Sequence, residues 1–429
     1  MIKKIWITAI DPSFITDNGT GKSRMKNLSD YLAAKGYEVT VFTSAFDHRK
    51  KYWAYKTTTI LHPAKNFRLV AIKSSVAYKT NTSPTRVIYH VLLGNKMHKI
   101  IKQTDKFPVP DLIFCSWPPE EFCSVMLDYG KKHNVPVILD VRDLWPDIFE
   151  RALPGTVRKF SKIALMPMKC KAKKSFRRSS AICATSEPCL EFGLNYAKRE
   201  RRDNDRIIFI GGKKTVLGKD VMERRVHEWE MEGVTEDTWN ICFFSSLSKT
   251  AIDFDTVIDA LKKVHEYHHE IRLVVGGVGD DYERLLEKTK DISYIKMMGW
   301  LNLEQMSSLM SISKLGLLCY RNTPDFKNGW GNKIGQYLSA KLPYFTSAEG
   351  MAKTYLEKYG CGLYYNEGDP DDFARVLLSY MEEPEKQIEF RENAYARYKA
   401  DFDSTVVLGK FEQMIQDVYR SYHSIDKGC

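Results

Sequence analysis

Residues 4–43 read KIWITAIDPSFITDNGTGKSRMKNLSDYLAAKGYEVTVFT and contain a complete strand–helix–strand pattern. Lys4–Ile10 is strand-like, and a loop with two glycines follows it. An amphipathic helix comes next, and its apolar face holds Met25, Leu28, Leu32 and Ala33. Val39–Thr43 is then the second strand, so the stretch predicts a unit with two parallel strands.

The same alternation continues through the rest of the chain in two series. In the first series, further strands are predicted at Leu69–Ile72, Leu112–Cys115, Val137–Val141 and Ala181–Thr185. In the second series, strands are predicted at Trp239–Phe244, Ile271–Val275, Ile295–Gly299, Leu315–Cys319 and Tyr344–Thr346, with helices at Asp255–His265, Tyr282–Lys290, Glu304–Met310 and Asn332–Ala340. We therefore predict an α/β protein of two Rossmann-like, doubly wound domains that face each other across a cleft.

The chain length of 429 residues also favours two domains over one. We predict an N-terminal domain over 1–202 and a C-terminal domain over 239–404. Residues 203–238 are charged and irregular, and we interpret them as a linker region. Residues 405–429 are expected to form a helix that packs back on the N-terminal domain.

Composition narrows the class of protein. With 43% hydrophobic residues and no apolar run near the ~20 residues of a membrane span, the pattern is typical of a globular protein. The N-terminal apolar run is too short for a secretory signal, so we expect a cytoplasmic protein. The nine cysteines are scattered and lack metal-binding spacing, which indicates buried, reduced thiols and no zinc site.

Charge is distributed unevenly along the chain. Residues 1–200 hold 34 Lys and Arg against 17 Asp and Glu, whereas residues 201–429 hold 31 against 37. Positions 49–99 contain no acid, and the run Arg158–Arg178 interleaves nine cations with apolar residues. This run is either a basic amphipathic segment on an anionic membrane or a solvated helix face. Nucleic acid is disfavoured, because no recognised binding motif accompanies the charge.

Three strand-to-helix loops have the composition of anion-binding sites. The first is Asp17–Gly21, in which Gly19, Thr20 and Gly21 let the backbone approach a phosphate or a sugar; an ordinary flexible loop is the alternative. The second is Ser245–Lys249, where Ser246, Ser248 and Lys249 offer hydroxyls and one ammonium to a diphosphate. The third is Gly276–Gly279, whose glycines serve either a ligand or only the turn itself.

A fourth constellation runs from Asn328 to Pro343 and reads NGWGNKIGQYLSAKLP. Asn332 and Gln336 share a helix face, and Lys333 can lean toward an anion at the helix N-terminus. This stretch resembles the donor-binding helix of retaining family 4 glycosyltransferases. The resemblance extends to Gly19–Gly21, to the string DVRDLWPD at 140–147, to Ser246–Lys249 and to Gly299–Leu301, and that string is similar to bacterial O-antigen and capsule transferases.

The resemblance implies the GT-B architecture, with a nucleotide sugar on the C-terminal domain and an acceptor on the N-terminal domain. It implies that Lys249 neutralises the diphosphate, that backbone at Gly299, Trp300 and Leu301 contacts the base, and that Gln336 holds the ribose. The family's two glutamates map onto Asn328 and Gln336. Neutral amides hydrogen bond to hydroxyls more weakly than carboxylates do, which affects donor preference or activity.

The resemblance further implies retaining transfer without a metal or other cofactor, from a donor that is expected to be a UDP-sugar. Asp253-Phe254-Asp255 is a rival metal-binding pattern, but we interpret Asp255 as a helix N-cap. Asp143 and Arg142, in the loop after Val137–Val141, are assigned to catalysis together with Lys249.

Trp117 and Trp145 follow strands in the N-terminal half, where an indole can stack on an acceptor sugar or serve packing. The leading hypothesis is a transferase for a lipid-linked or glycan acceptor in bacterial surface polysaccharide synthesis, peripheral on the inner face of the membrane. The alternatives are a catalytically weak paralogue that binds nucleotide sugar or a partner, and a nucleotide-sugar epimerase or hydrolase.

Overall fold

Apolar strands flanked by helices build two parallel sheets in the computed structural model of the protein. The structure describes residues 2–16, 23–80, 83–152, 163–212, 214–323, 326–327 and 329–425. The chain forms two compact units. Unit 1 comprises Met1–Ile208 and Leu408–Cys429, and unit 2 comprises Phe209–Val407.

Unit 1 is organised around a sheet in the strand order β10-β9-β8-β7-β1-β2-β6-β5. Its strands, with the separate pair β3 and β4, are β1 (Lys4–Thr8), β2 (Glu38–Ser44), β3 (Phe46–Asp47), β4 (Tyr52–Trp53), β5 (Thr59–Ala64), β6 (Phe67–Ile72), β7 (Leu112–Trp117), β8 (Val137–Val141), β9 (Ala181–Ala184) and β10 (Arg206–Ile207). Its helices are α1 (Arg24–Ala34), α2 (Pro84–Ile101), α3 (Glu120–His133), α4 (Asp147–Ala152), α5 (Met166–Arg178) and α6 (Glu187–Ala197), with a 3₁₀ turn at Pro12–Phe14.

The central strand β1 pairs in parallel with both neighbours, so that Ile5 lies opposite Val39 on β2 and Leu112 on β7. Only the outer strand β5 runs antiparallel to its partner β6 in the described sheet. Since helices cover both faces, the central strands are buried throughout, as in β7 and β8.

Unit 2 contains a parallel sheet in the strand order β13-β12-β11-β14-β15-β16. These strands are β11 (Trp239–Phe244), β12 (Ile271–Gly276), β13 (Ile295–Gly299), β14 (Leu315–Leu318), β15 (Tyr344–Thr346) and β16 (Gly362–Tyr364). Its helices are α7 (Lys219–Met231), α8 (Phe254–His265), α9 (Tyr282–Thr289), α10 (Leu303–Ser311), α11 (Asn332–Ser339), α12 (Met351–Tyr359), α13 (Pro370–Met381) and α14 (Pro384–Arg397), followed by a π-helical turn at Tyr398–Phe402. The predicted strands and helices of the second series are confirmed to within one or two residues.

The last helix, α15 (Ser404–Ile425), begins in unit 2 and continues from Leu408 as part of unit 1. There Phe411 packs edge-on against Phe114 of β7. Glu412 accepts hydrogen bonds from the hydroxyls of Tyr31 and Tyr37, at 2.7 and 2.9 Å. Chain segments far apart in sequence therefore complete unit 1.

Residues 203–238, which we interpreted as an irregular linker, contain strand β10 and helix α7. Trp229 of α7 is buried and donates its indole N–H to Ser308 of α10 at 2.9 Å. Arg225 of α7 donates to Glu304 of α10. A helix with so few apolar residues shows little 3.6-residue periodicity, so its composition resembled a linker.

No helix within the described ranges is both long enough and apolar enough to cross a bilayer.

Candidate functional site

Three loops at the carboxyl edge of the unit 2 sheet are held together by backbone hydrogen bonds. Leu247, in the loop after β11, donates its N–H to the carbonyl oxygen of Val278, in the loop after β12, at 3.1 Å. Gly277 in turn donates to the carbonyl oxygen of Gly299, at the end of β13, at 2.6 Å. The loops therefore form one continuous backbone surface at the edge where open parallel sheets bind ligands.

Gly277 and Gly279 make this contact possible. A Cβ at Gly277 would lie 1.9 Å from the carbonyl oxygen of Ser245, and one at Gly279 would lie 1.9 Å from that of Leu247. Any side chain would push the loops apart. Of the two interpretations left open for these glycines, the structure supports a structural role, which is to let two loops meet at van der Waals distance.

The predicted donor-binding residues of these loops differ in exposure. Ser246 and Lys249 are exposed and Ser248 is half-buried. Trp300 is 71% exposed, whereas Leu301 is buried, with its side chain against Gly276. The pKa of Asp281 is lowered mainly by its hydrogen bond from Arg284, and the Lys249 ammonium adds a smaller effect of the same sign. Lys249 thus lies within electrostatic reach of this loop system.

Helix α11 is anchored through Tyr337. The fully buried Tyr337 hydroxyl accepts from the N–H of Phe244 at 3.2 Å and reaches the carbonyl oxygen of Leu317 at 3.2 Å. Its ring occupies the space that a side chain at Gly316 would take, 2.4 Å from the position of such a Cβ. These contacts fix the helix against β11 and β14, and so fix the positions of Lys333 and Gln336.

Lys333 and Gln336 are both half-buried. Desolvation lowers the pKa of the Lys333 ammonium. Within the described part of the chain, no carboxylate pairs with Lys333, so its charge is uncompensated at the edge of the sheet. The side chain of Asn332 and the residues Asn328, Gly19, Thr20 and Gly21 lie outside the described residues.

A pocket of about 280 Å³ lies in unit 1 at the carboxyl ends of β1, β7 and β8. Its polar lining comes from five separate parts of the sequence. Those residues are Asp11, Ser23, His48, Arg49, Tyr78, Arg86, His90, Ser116, Arg142 and Asp143. We call this pocket the basic cleft, because three arginines and two histidines line it against two aspartates.

Arg86 and His90 stand one helical turn apart at the start of α2. The Arg86 guanidinium lies over the Trp145 ring, 4.5 Å from its centroid, and His90 packs beside the same indole at 5.8 Å. Burial, and then the charges of Arg86 and His48, lower the pKa of His90 to about 3. Burial, and then Arg49 and Arg86, lower the pKa of His48 to about 4. Both imidazoles are therefore neutral near pH 7.

The two assigned catalytic residues of the first half, Arg142 and Asp143, line the basic cleft. Sequence reasoning missed His48, Arg49, Arg86 and His90. The acid-free stretch 49–99, which contains Arg49, Arg86 and His90, was the available signal. The spacing of Arg86 and His90 at i and i+4 was the finer signal.

Trp117 belongs to the core and does not offer a face to an acceptor. It is 1% exposed, donates its indole N–H to the carbonyl oxygen of Trp145 at 3.2 Å, and packs on Phe176 at 4.6 Å. As the last residue of β7, it points between the sheet and α5. Trp145 is 9% exposed and lies behind Arg86 and His90, so it supports the basic cleft.

The prediction that Asp255 is the N-cap of α8 is wrong, because Asp253 occupies that position. Asp255 lies in the first turn and pairs with Arg284 at 2.9 Å and Lys288 at 2.5 Å. The hydrogen bond from Arg284 is the main cause that lowers its pKa to about 2. Among the described residues, no group of three or more His, Cys, Asp or Glu could hold a metal ion.

Residues 229–397, within unit 2, match the family described as Glycosyl transferases group 1. No curated protein matches the chain in sequence.

Solved structures resemble almost the whole chain. A sucrose-phosphate synthase from Thermosynechococcus elongatus has a TM-score of 0.68 at 13% identity, covering 98% of this chain and 100% of its own. Anabaena HepE in complex with UDP has a TM-score of 0.64 at 15% identity, and the match covers 97% of this chain and 100% of HepE. WaaG, a glycosyltransferase involved in lipopolysaccharide biosynthesis, has a TM-score of 0.62 at 15% identity, and the match covers 96% of this chain and 99% of WaaG. The predicted GT-B fold of two Rossmann-like domains is confirmed.

Proposed function

We propose, from the group 1 glycosyltransferase domain in unit 2, that the protein transfers a sugar from a nucleoside-diphosphate sugar to a lipid-linked or glycan acceptor in bacterial surface polysaccharide synthesis. One observation carries this proposal. The matched residues 229–397 contain the three interlocked loops and helix α11, which together collect Ser246, Lys249, Lys333 and Gln336 on the carboxyl edge of one sheet. Backbone N–H groups, hydroxyls and two ammonium groups at such an edge suit a diphosphate.

Each donor-binding residue has a stated role in the proposal. Lys249 and Lys333 neutralise the leaving diphosphate, backbone at Gly299–Leu301 contacts the base, and Gln336 hydrogen bonds to the ribose. Transfer proceeds with retention, as in the resembling family. It needs no metal ion, because the two ammonium groups supply the positive charge. Asp143 and Arg142 act at the acceptor, in the basic cleft of unit 1.

UDP is the first candidate for the donor nucleotide. Support comes from HepE, whose structures are described in complex with UDP and with UDP-glucose. Calorimetric titration with UDP, GDP and ADP separately tests this choice, and we expect UDP to bind tightest. Failure of all three nucleotides to bind would contradict the proposed function.

Turnover is tested with UDP-glucose carrying labelled glucose. Release or transfer of the label, unchanged by a metal chelator, supports a metal-independent transferase. The anomeric coupling constant of the product in a proton NMR spectrum then reports retention or inversion. Inhibition by the chelator, with recovery on adding a divalent cation, would contradict the metal-independent mechanism.

A second candidate function is nucleotide-sugar binding without turnover. It is favoured by Gln336, a neutral amide in the half-buried position where the resembling family has a carboxylate. Tight UDP binding, together with no release of label from any donor, would favour this candidate over the transferase.

We further propose that unit 1 binds the anionic inner face of the cell membrane. Support comes from α2, whose outward face exposes Val87, Ile88 and Val91 by 42%, 51% and 37% within the acid-free stretch 49–99. An apolar strip with basic surroundings suits shallow insertion among anionic headgroups. Helix α5 offers weaker support, because Lys169 pairs with Glu150 and Arg178 pairs with Asp128. Residues 158–162 of the basic run lie outside the described residues.

A further inference from the structure

The basic cleft of unit 1 brings three guanidinium groups to one cavity from three separate elements. Arg49 follows β3, Arg86 lies in the first turn of α2, and Arg142 follows β8. Guanidinium groups present forked N–H donors that match phosphate oxygens, and their convergence raises the local concentration of anions.

The arginine in the middle of this set is held in place by aromatic rings. Arg86 lies 4.5 Å from the Trp145 centroid and 5.8 Å from that of Tyr78. Trp145 is itself packed edge-on against Phe149, at 4.6 Å. A guanidinium stacked on rings keeps its in-plane N–H groups directed at a ligand, which lowers the entropic cost of binding.

The carboxylates of the cleft leave a positive balance. Asp11 accepts from the N–H and hydroxyl of Ser13, at 3.0 and 2.9 Å, and so caps the turn at Pro12–Phe14. Asp143 is exposed. Two aspartates against three arginines leave one formal positive charge, and two neutral imidazoles face the same space.

His48 adds a hydrogen-bonding atom without a partner. Its Nδ1 is buried and has no hydrogen-bond partner among the described residues. His48 lines the cleft, and a ligand bound there can supply the partner that a buried polar atom needs. A phosphate oxygen can accept from an imidazole N–H, and a second oxygen can accept from an arginine beside it.

We infer that the basic cleft binds a phosphate or diphosphate group through Arg49, Arg86, Arg142 and His48. The inference rests on the proposed function, because it gives the acceptor its chemical class: a molecule that carries this group next to the hydroxyl that receives the sugar. The cleft is lined by residues of unit 1, whereas the donor loops belong to unit 2.

The test uses inorganic pyrophosphate and the full-length protein, titrated by calorimetry in the absence of UDP. The arginine variants leave the diphosphate site of unit 2 unchanged, so the pyrophosphate binding that they lose reports the basic cleft. We expect Arg49→Gln and Arg142→Gln each to weaken pyrophosphate binding about tenfold or more, the range for a hydrogen bond to a charged group. Arg49 is exposed, so its replacement leaves the fold intact.

Arg201→Gln is the matched control, because Arg201 is an exposed arginine of unit 1 that pairs with Glu187 outside the cleft. Equal pyrophosphate affinity in Arg49→Gln, Arg142→Gln and the control would overturn the inference, as would absence of binding to the unmodified protein. If UDP fails to bind, pyrophosphate binding that is sensitive to Arg142→Gln still assigns the anion site to the cleft. Loss of the donor site and loss of the cleft are thereby distinguished.

Farnesyl diphosphate in solution separates the two sources of the anionic group. Binding tighter than that of pyrophosphate, and equally sensitive to Arg142→Gln, assigns the cleft to a lipid-linked diphosphate. Weaker binding of the prenyl compound, with pyrophosphate still sensitive to Arg142→Gln, assigns it to a water-soluble phosphorylated acceptor.

Discussion

Arg24 and Asp140 form an ion pair in the interior of unit 1, with side chains that are 3% and 0% exposed. The Arg24 guanidinium donates from Nη2 at 2.9 Å and from Nε at 3.2 Å to the two carboxylate oxygens. Its Nη1 donates to the carbonyl oxygen of Ile208 at 2.7 Å, and its Cζ lies 4.4 Å from the Phe411 ring centroid. The Arg24 side chain, on α1, thus contacts β8, helix α15 and Ile208, the last residue of the first chain segment of unit 1.

Arg24→Met is expected to destabilise unit 1 by about 3–5 kcal/mol, because it leaves the buried Asp140 carboxylate without its partner. Chemical denaturation followed by circular dichroism measures this loss. Arg201→Met, which removes the exposed pair with Glu187, should cost about 0–1 kcal/mol. Equal losses in the two variants would show that the buried pair contributes no more than a surface pair.

Lys249→Ala is expected to weaken UDP binding by about 1.5–3 kcal/mol, the range for a hydrogen bond to a charged group. Calorimetric titration measures the change. Lys262→Ala, an exposed lysine on α8 that pairs with Asp259, is the control and should bind UDP normally. Unchanged affinity in Lys249→Ala would exclude this residue from the donor site.

Gln336→Glu restores the carboxylate of the resembling family at a half-buried position of α11. We expect tighter UDP binding, because a carboxylate accepts from the ribose hydroxyls more strongly than an amide does. Titration with UDP, together with the label-release assay, measures the effect. If the change abolishes turnover, Gln336 is instead a specific adaptation of this protein.

Sulfate binding to the basic cleft is expected to strengthen as the pH falls from about 7 to about 5. In the free protein, burial and the charges of Arg49 and Arg86 lower the pKa of His48 to about 4, although Asp11 and Asp47 act in the opposite direction. Burial, Arg86 and His48 lower the pKa of His90 to about 3. A bound dianion offsets the arginine charges and raises both pKa values, so protons are taken up on binding. Sulfate itself does not titrate in this range.

Calorimetry of the protein without UDP, in buffers of different ionisation enthalpy, measures that proton uptake. His48→Asn should reduce it, because one of the two acceptors is removed. Affinity that is constant from about pH 7 to about pH 5 would show that the imidazoles stay neutral beside the anion.

Membrane binding is expected to depend on α2 as well as on α5. Val87→Ser combined with Ile88→Ser removes apolar surface from the exposed face of α2. Lys171, Lys173 and Lys174 changed together to Glu reverses charge on α5. Both variants should sediment less with anionic vesicles than the unmodified protein, and the binding of the unmodified protein should fall steeply with salt.

UDP binding, a property assigned to unit 2, should be unchanged in both membrane variants. Neutral vesicles are the second control and should bind none of the proteins. If both variants sediment with anionic vesicles as well as the unmodified protein does, the basic face of unit 1 is only solvated or serves a soluble acceptor.

Most of the strands and helices, and the fold class, could be predicted from the sequence, because buried parallel strands and helices with one buried face carry periodic apolar patterns. Helix α2 was not predicted, because its apolar run at 87–93 mixes buried and exposed residues. Tyr89 and Leu93 lie in the core, whereas Val87, Ile88 and Val91 are exposed. Such a run does not reveal which face is buried.

Long-range contacts, in contrast, select the residues that form the basic cleft and the tryptophans that lie in the core. Asp11, His48, Arg86 and Arg142 are separated by dozens of residues, and they meet because the carboxyl ends of neighbouring parallel strands share one edge. Trp117 follows a strand just as a ligand-binding residue would, yet it packs on Phe176 of α5. The pleat of β7 and the packing of α5 on the sheet decide which way the Trp117 side chain points. Such long-range contacts are not encoded in a local sequence pattern.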